Sequence, residues 1–197
     1  MSNFLFRARE ILEEARKNKG YVSIVGHNSK AFYGNDYLHQ CSVLSTEDNC
    51  GIIDYDPTEL VVRVKCGTSM LDLEKELEKN NQFLNFEPPH FYEKNSSGKI
   101  KRSGSVGGMV ACGLSGPGRF FYGGCRESVL GMSILDGSGR ILKFGGSVIK
   151  NVAGYDVSRL NVGALGSLGL ITEVYLRTYP KPMSETTIKI PLNNTNL

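Results

Sequence analysis

Apolar residues recur along this chain with two different periods, and the change of period outlines its elements. Phe4, Ala8, Ile11, Leu12 and Ala15 fall three and four residues apart among charges, which places them on one face of a helix over residues 3–18, ended near Lys19-Gly20. A short apolar strand, Tyr21 to Val25, follows and runs into the polar, glycine-bounded turn G-H-N-S-K-A-F-Y-G (26–34). Further β-like segments fall around Cys41–Leu44 and Gly51–Asp54. Over Leu60–Cys66 the pattern alternates, Leu60, Val62 and Val64 against Val61, Arg63 and Lys65, and predicts a strand with one buried face. Thr68 or Ser69 then caps a helix in which Met70, Leu73 and Leu77 recur at three and four.

Residues 80–102 read as loop, marked by Pro88-Pro89 and N-S-S-G, and after them the composition changes. Val106 to Cys112 predicts a short helix opened by Gly107-Gly108. Val129–Leu135 and Ile141–Phe144 flank D-G-S-G (136–139), the signature of a β-hairpin. A last strand spans Leu170–Tyr179, and Pro180 and Pro182 stop it. The final fifteen residues, 183–197, are polar and weakly patterned and form a tail.

The composition sets bounds on function. With 197 residues, 40% apolar and 22% charged, the chain has the make-up of a soluble globular protein. A net charge of +3 is too mild for a nucleic-acid binder, which shows a basic stripe interleaved with aromatics. The one basic cluster, Lys94, Lys99, Lys101 and Arg102, sits in a polar stretch and reads as a solvated loop. The five cysteines, Cys41, Cys50, Cys66, Cys112 and Cys125, are odd in number and lack a C-x-x-C pair, so neither a disulfide framework nor a zinc site is signalled. A reducing cytoplasm fits. No stretch approaches the ~18 apolar residues of a spanning helix, and the expected protein is neither exported nor embedded. His39 and His90 lack a partner at metal-ligand spacing, so no metal is expected.

Glycine carries the chemistry. It is concentrated in S-G-S-V-G-G-M-V-A-C-G-L-S-G-P-G (103–118), F-G-G-S-V-I-K-N-V-A-G-Y-D (144–156) and G-A-L-G-S-L-G-L-I-T-E-V (163–174). A residue without Cβ lets main-chain N–H groups come against a ligand, which suits an extended, phosphate-bearing molecule. Neither G-x-x-x-x-G-K-[ST] nor a G-x-G-x-x-G between strand and helix is present, which excludes an ordinary nucleotide triphosphatase and a Rossmann dehydrogenase. Several separated glycine loops around one long ligand fit a dinucleotide bound in extended form. Gly137 and Gly139 are read as hairpin glycines only.

On five segments the sequence resembles the FAD-binding (PCMH-type) domain of the vanillyl-alcohol oxidase and D-lactate dehydrogenase type, and more closely the FAD-binding subunits of bacterial glycolate oxidases. They are V-G-H-N-S-K-A-F-Y-G (25–34), S-V-G-G-M-V-A-C-G-L-S-G-P (105–117), R-E-S-V-L-G-M-S-I-L-D-G-S-G (126–139), F-G-G-S-V-I-K-N-V-A-G-Y-D-V-S-R-L (144–160) and G-S-L-G-L-I-T-E-V (166–174). The resemblance implies an α+β fold over residues 1–182, with two α/β subdomains at about 1–85 and 95–182 and FAD between them. It implies that Gly26, His27, Asn28, Ser29 and Lys30 hold the pyrophosphate, and that Ser105, Val106, Gly107 and Gly108 close on it. Gly113 would let a backbone pass close, Ile171 would meet the adenine end, and Lys150, Asn151, Tyr155 and Asp156 would line or brace the flavin pocket. Tyr155 and Asp156 read equally well as a hydrogen-bonded corner. His27 departs from the glycine expected at its place and does not fall in the register of a flavin-attaching histidine, so the FAD is expected to be non-covalent.

The same resemblance implies partners, a catalytic flavoprotein subunit and an iron–sulfur subunit, and leaves room for a peripheral position at the inner membrane through them. The chain ends about where a substrate-binding cap domain would begin, so the cap is expected to be absent and no catalytic residue is assigned. Two other readings stay open: a self-contained FAD-dependent 2-hydroxy-acid oxidoreductase, and a non-catalytic FAD-binding assembly module.

Overall fold

The computed structural model describes residues 3–34, 41–91, 93–94, 100–102, 104–146 and 155–189. Helix α1 (Asn3–Lys17) buries Phe4, Ala8 and Ala15, and Arg16 and Lys17 stand in its last turn, where cations suit the helix dipole. It packs on a parallel pair, β1 (Tyr21–Val25) and β2 (Cys41–Ser45), in register from Tyr21 opposite Cys41 to Val25 opposite Ser45. Leu44 of this pair shares a small core with Phe4, Ala8, Leu135 and Leu170.

The chain then builds β3 (Ile52–Asp56), β4 (Val61–Lys65), α2 (Met70–Glu78), β5 (Gln82–Phe83), β6 (Glu93–Lys94), β7 (Ile100–Arg102) and α3 (Val106–Cys112). Two single-turn helices, α4 (Arg119–Tyr122) and α5 (Cys125–Ser128), lead to the hairpin of β8 (Val129–Leu135) and β9 (Ile141–Gly145), and α6 (Val157–Asn161) precedes β10 (Leu170–Arg177) and β11 (Tyr179–Pro180). Five strands form one sheet in the order β3-β4-β10-β8-β9, every neighbouring pair antiparallel. Val62, Val64, Val174 and Leu176 are fully buried from β4 and β10, each contributing roughly 1.5–3 kcal/mol relative to exposure. They meet Leu73 and Leu77 of α2 and Val106 and Val110 of α3 in the main core. On the other face Arg63 donates to Glu173 at 2.6 Å and lies 5.2 Å from the ring of Tyr175. The fold is therefore α+β. Among the described residues no helix is long and apolar enough to cross a membrane.

Three expectations need correction. The division at about 1–85 and 95–182 cuts through the five-stranded sheet, because β4 pairs with β10 across more than a hundred residues. The two cores instead part between β2 and β3, where Thr46, Asn49 and Gly67 are cross-linked by backbone hydrogen bonds. Leu60 does not belong to the alternating strand: it turns at φ 56°, and Val61 is buried on the face expected to be polar. The last strand breaks at Thr178, whose buried hydroxyl donates to Gln82 at 2.6 Å, so Tyr179–Pro180 pairs with β5 instead of continuing β10.

Candidate functional site

A cleft opens where the small α1-β1-β2 unit meets the main sheet. β1 ends at Val25, and the next residue, Gly26, passes so close to Ser105 that a Cβ on it would stand 2.2 Å from the serine Oγ. The chain then turns at Asn28, φ 55°, a left-handed position that asparagine tolerates better than most residues. The turn closes through Tyr33 N–H donating to the Lys30 carbonyl at 2.9 Å. Among the described residues, the backbone N–H groups of Gly26, Asn28, Ser29 and Lys30 donate to no protein acceptor. Adjacent donors without acceptors around a left-handed residue make a concave anion site.

Lys30 adds a charge to these donors. Its half-buried side chain lies against Gly104, where a Cβ would stand 2.9 Å from Nζ, and 5.6 Å from the centroid of the Phe91 ring. Burial holds the ammonium below the ordinary lysine range, against the opposing effect of the Cys112 sulfur. The thiol in turn is pushed up by burial and drawn down by Lys30. Among the described residues no carboxylate is paired with Lys30.

The outer part of the cleft, about 120 Å³, runs from residues 24–31 to Ser105, Gly108 and Cys112. An inner part, about 70 Å³, shares Ile24, Gly26, Gly108, Ala111 and Leu165 with it. It continues to Thr46, Cys66, Gly107 and Ile171. Polar donors at the mouth and aliphatic walls within suit a ligand with a phosphate and a flat ring system.

The predicted site residues divide into three groups. Gly26, His27, Asn28, Ser29, Lys30, Ser105, Gly107, Gly108 and Ile171 line the cleft. Val106, Gly113, Tyr155 and Asp156 do not. Lys150 and Asn151 lie outside the described residues.

Within the 105–108 segment, the amides are already engaged. Val106 N–H donates to Thr68 at 2.9 Å, Gly107 N–H to Cys66 at 2.7 Å, and Gly108 N–H to the Ser105 hydroxyl at 3.2 Å. The first two bonds fasten α3 to the segment after β4 and the third caps the helix; the surface this segment offers a ligand is the Ser105 hydroxyl and the bare Cα of Gly107 and Gly108. Gly113, φ 62°, ends α3, and a Cβ there would meet Gly163 at 3.1 Å: a backbone does pass close, and it is the protein's own. Asp156 caps α6 by accepting from Arg159 N–H at 3.0 Å, and Tyr155 beside it is 94% exposed.

Thr46, Cys66, Ala111 and Leu165 also belong to the cleft; Thr46 and Cys66 fall outside the glycine-rich segments, and Ala111 and Leu165 lie inside them without being among the predicted site residues. Cys66 is fully buried, accepts from Asn49 at 3.3 Å, and is pushed up to about 11 by burial. His90 is bound to Glu74 at 2.9 Å, and among the described residues no cluster of three or more His, Cys, Asp or Glu could hold a metal.

Comparison with known proteins agrees with this chemistry. The chain is 43% identical over 180 residues to glycolate oxidase subunit GlcE of Escherichia coli (strain K12), covering 91% of this chain and 48% of that protein. It is 34% identical to a D-lactate dehydrogenase of Anaerostipes hadrus over 73% of this chain and 28% of the relative, and 33% identical to glycolate oxidase subunit GlcD of Bacillus subtilis (strain 168) over 70% and 27%. The chain thus spans about half the length of the first relative and under a third of the other two. A solved alkyldihydroxyacetonephosphate synthase shares the fold, with a TM-score of 0.69 at 19% identity over 91% of this chain and 33% of that one. The model of the FAD binding domain matches residues 7–145, which includes the anion loop, Gly104 to Cys112 and the hairpin. The chain belongs to the FAD binding domain family.

Proposed function

We propose that this chain is the FAD-binding component of a glycolate-oxidase-type complex that oxidises a small 2-hydroxy acid. The observation that carries the reading is the pairing, among the described residues, of loop amides that donate to no protein acceptor and a Lys30 with no carboxylate partner at one end of the cleft with aliphatic walls at the other. The 43% identity to a glycolate oxidase subunit supports the assignment of the complex.

Bound FAD would supply a ring able to accept hydride from the substrate C–H. The chain's own residues bind and orient. The loop Gly26–Lys30 takes the pyrophosphate through N–H groups and one ammonium, and the Ser105 hydroxyl, whose oxygen already accepts from Gly108, has its proton left to donate. Ile24, Leu165 and Ile171 exclude water along the inner wall. Val106 and Gly107 act at one remove by fixing Ser105. The cofactor is held without a covalent bond.

Oxidation of a 2-hydroxy acid also requires cations for its carboxylate and a base for its hydroxyl proton. Among the described cleft residues only His27 and Lys30 could serve, and both belong to the pyrophosphate loop. In this reading a catalytic flavoprotein subunit supplies the substrate groups, an iron–sulfur subunit is a further partner, and the complex has a peripheral place at the inner membrane. Anaerobic mixing of the FAD-loaded chain with millimolar glycolate or D-lactate tests this. The flavin should stay oxidised with the chain alone and bleach once the partner subunits are added. Rapid bleaching without partners would make the chain a self-contained oxidoreductase.

A further inference from the structure

Phe91 lies outside the glycine blocks and outside the residues that line the cleft, yet it touches the anion loop twice. Its ring centroid is 5.6 Å from Lys30 Nζ and 5.2 Å from the ring of Phe32, which it meets edge-on at 61°. Phe32 is 69% exposed even with this contact, and Phe91 gives this stretch of loop a side-chain neighbour from the main core.

The segment that presents Phe91 is itself held at several points. Glu87, at φ 50°, accepts from Gly118 N–H at 2.6 Å, Pro88 is buried, and His90 is bound to Glu74 of α2 at 2.9 Å. Phe91 is thus carried by the main core, while Lys30 and Phe32 belong to the loop that leaves the small unit. The ammonium sits between the ring and the bare backbone of Gly104.

An aromatic face attracts a cation without neutralising it. A carboxylate in the same place would fix Lys30 equally well but would cancel the charge offered to a phosphate. Resting on the FAD reading above, we propose that Phe91 is a positioning residue for the cofactor: it holds the Lys30 ammonium at the mouth of the cleft with its charge intact, so affinity for the pyrophosphate depends on a ring at position 91.

The test is FAD affinity, read from flavin fluorescence between 50 and 500 mM KCl, for the full chain and for F91L, F91Y, K30Q and F91L/K30Q, each checked for a native circular dichroism spectrum. K30Q should weaken binding about tenfold and flatten its salt dependence, since one screened ion contact is gone. F91L should weaken it about fivefold and flatten the salt dependence in the same sense, F91Y should stay within about twofold of the unsubstituted chain, and the double variant should bind like K30Q alone. F91L binding like the unsubstituted chain would overturn the inference, as would a loss that keeps the full salt dependence or adds to that of K30Q. F91Y as weak as F91L would also overturn it. If the unsubstituted chain takes up no FAD at any salt concentration, the cofactor reading fails and this inference falls with it.

Discussion

Gly107 is packed against Cys66 so closely that a Cβ on the glycine would lie 2.7 Å from the cysteine Cβ and 3.0 Å from its carbonyl oxygen. The same carbonyl accepts the Gly107 N–H at 2.7 Å. The contact joins the end of β4 to the start of α3 and sets where Ser105 and Gly108 stand in the cleft. Gly107→Ala must push backbone, so it should cost about 1–3 kcal/mol, read as a lower urea midpoint, and weaken FAD binding through displacement of α3. A first carbon on Gly108 would stand 3.1 Å from the Ser105 hydroxyl, which must give slightly, and the branches of Gly108→Val would enter the cleft, so this variant should fold and fail to bind FAD.

Gly26 and Ser105 give a paired test of the cleft mouth. Gly26→Ala alone should reduce FAD affinity by more than about tenfold, because the added carbon would lie 2.2 Å from the Ser105 Oγ, and either the hydroxyl leaves its place on Gly108 N–H or the loop moves. In a Ser105→Ala background the clash is relieved, and the glycine substitution should cost much less. Equal costs in both backgrounds would separate the two residues. Gly139→Ala, at φ 80° in the hairpin, should lower stability by about 1 kcal/mol and leave FAD binding unchanged.

Much of the fold could be read from the sequence wherever one element carried its own signal. The 3.6-residue spacing of Phe4, Ala8 and Ala15, the apolar run before Gly26, and D-G-S-G between two strands each mark a local structure, and each is found. What was not legible depends on residues far apart in the chain. Nothing local to Val62 tells that its strand will pair with Leu176, which is why the subdomain boundary was misplaced. Arg63 and Glu173, opposite charges on the polar faces of two strands, were the available hint. The single-turn helices 119–122 and 125–128 are too short for a periodic pattern. In the cleft, the loop 26–30 was legible because glycine and small polar residues cluster there. Thr46, Ala111 and Leu165 were not, since their role comes from placement alone.

The thiols should differ sharply in reactivity. Burial pushes Cys66 up to about 11 and Cys125 up to about 12, the latter with Glu127 adding to the effect, while Cys50 is exposed. At pH 8 both buried thiols are then overwhelmingly protonated, so both should resist a disulfide reagent that consumes Cys50. Mass spectrometry of the labelled peptides checks this, and prompt labelling of Cys66 or Cys125 in the folded protein would contradict the burial described.

Lys30 should give FAD affinity an alkaline limit. Burial lowers its pKa in the free protein, and a phosphate beside it favours the charged form, so binding takes up a proton wherever the free amine is partly neutral. Affinity should therefore be full below the free-protein pKa of Lys30 and fall as pH rises through it. FAD titrations from neutral pH upward check this, and Lys30→Met should remove the fall along with part of the affinity.

The central claim is that the cleft between the α1-β1-β2 unit and the main sheet holds FAD without a covalent bond. It is tested most directly by incubating the purified chain with FAD, removing free flavin by gel filtration, and precipitating the protein with acid. The account predicts about one FAD per chain in the gel-filtered protein, all of it released into the supernatant by acid. A chain that retains no flavin would contradict the claim, and colour that stays with the pellet would contradict the non-covalent assignment and direct attention to His27.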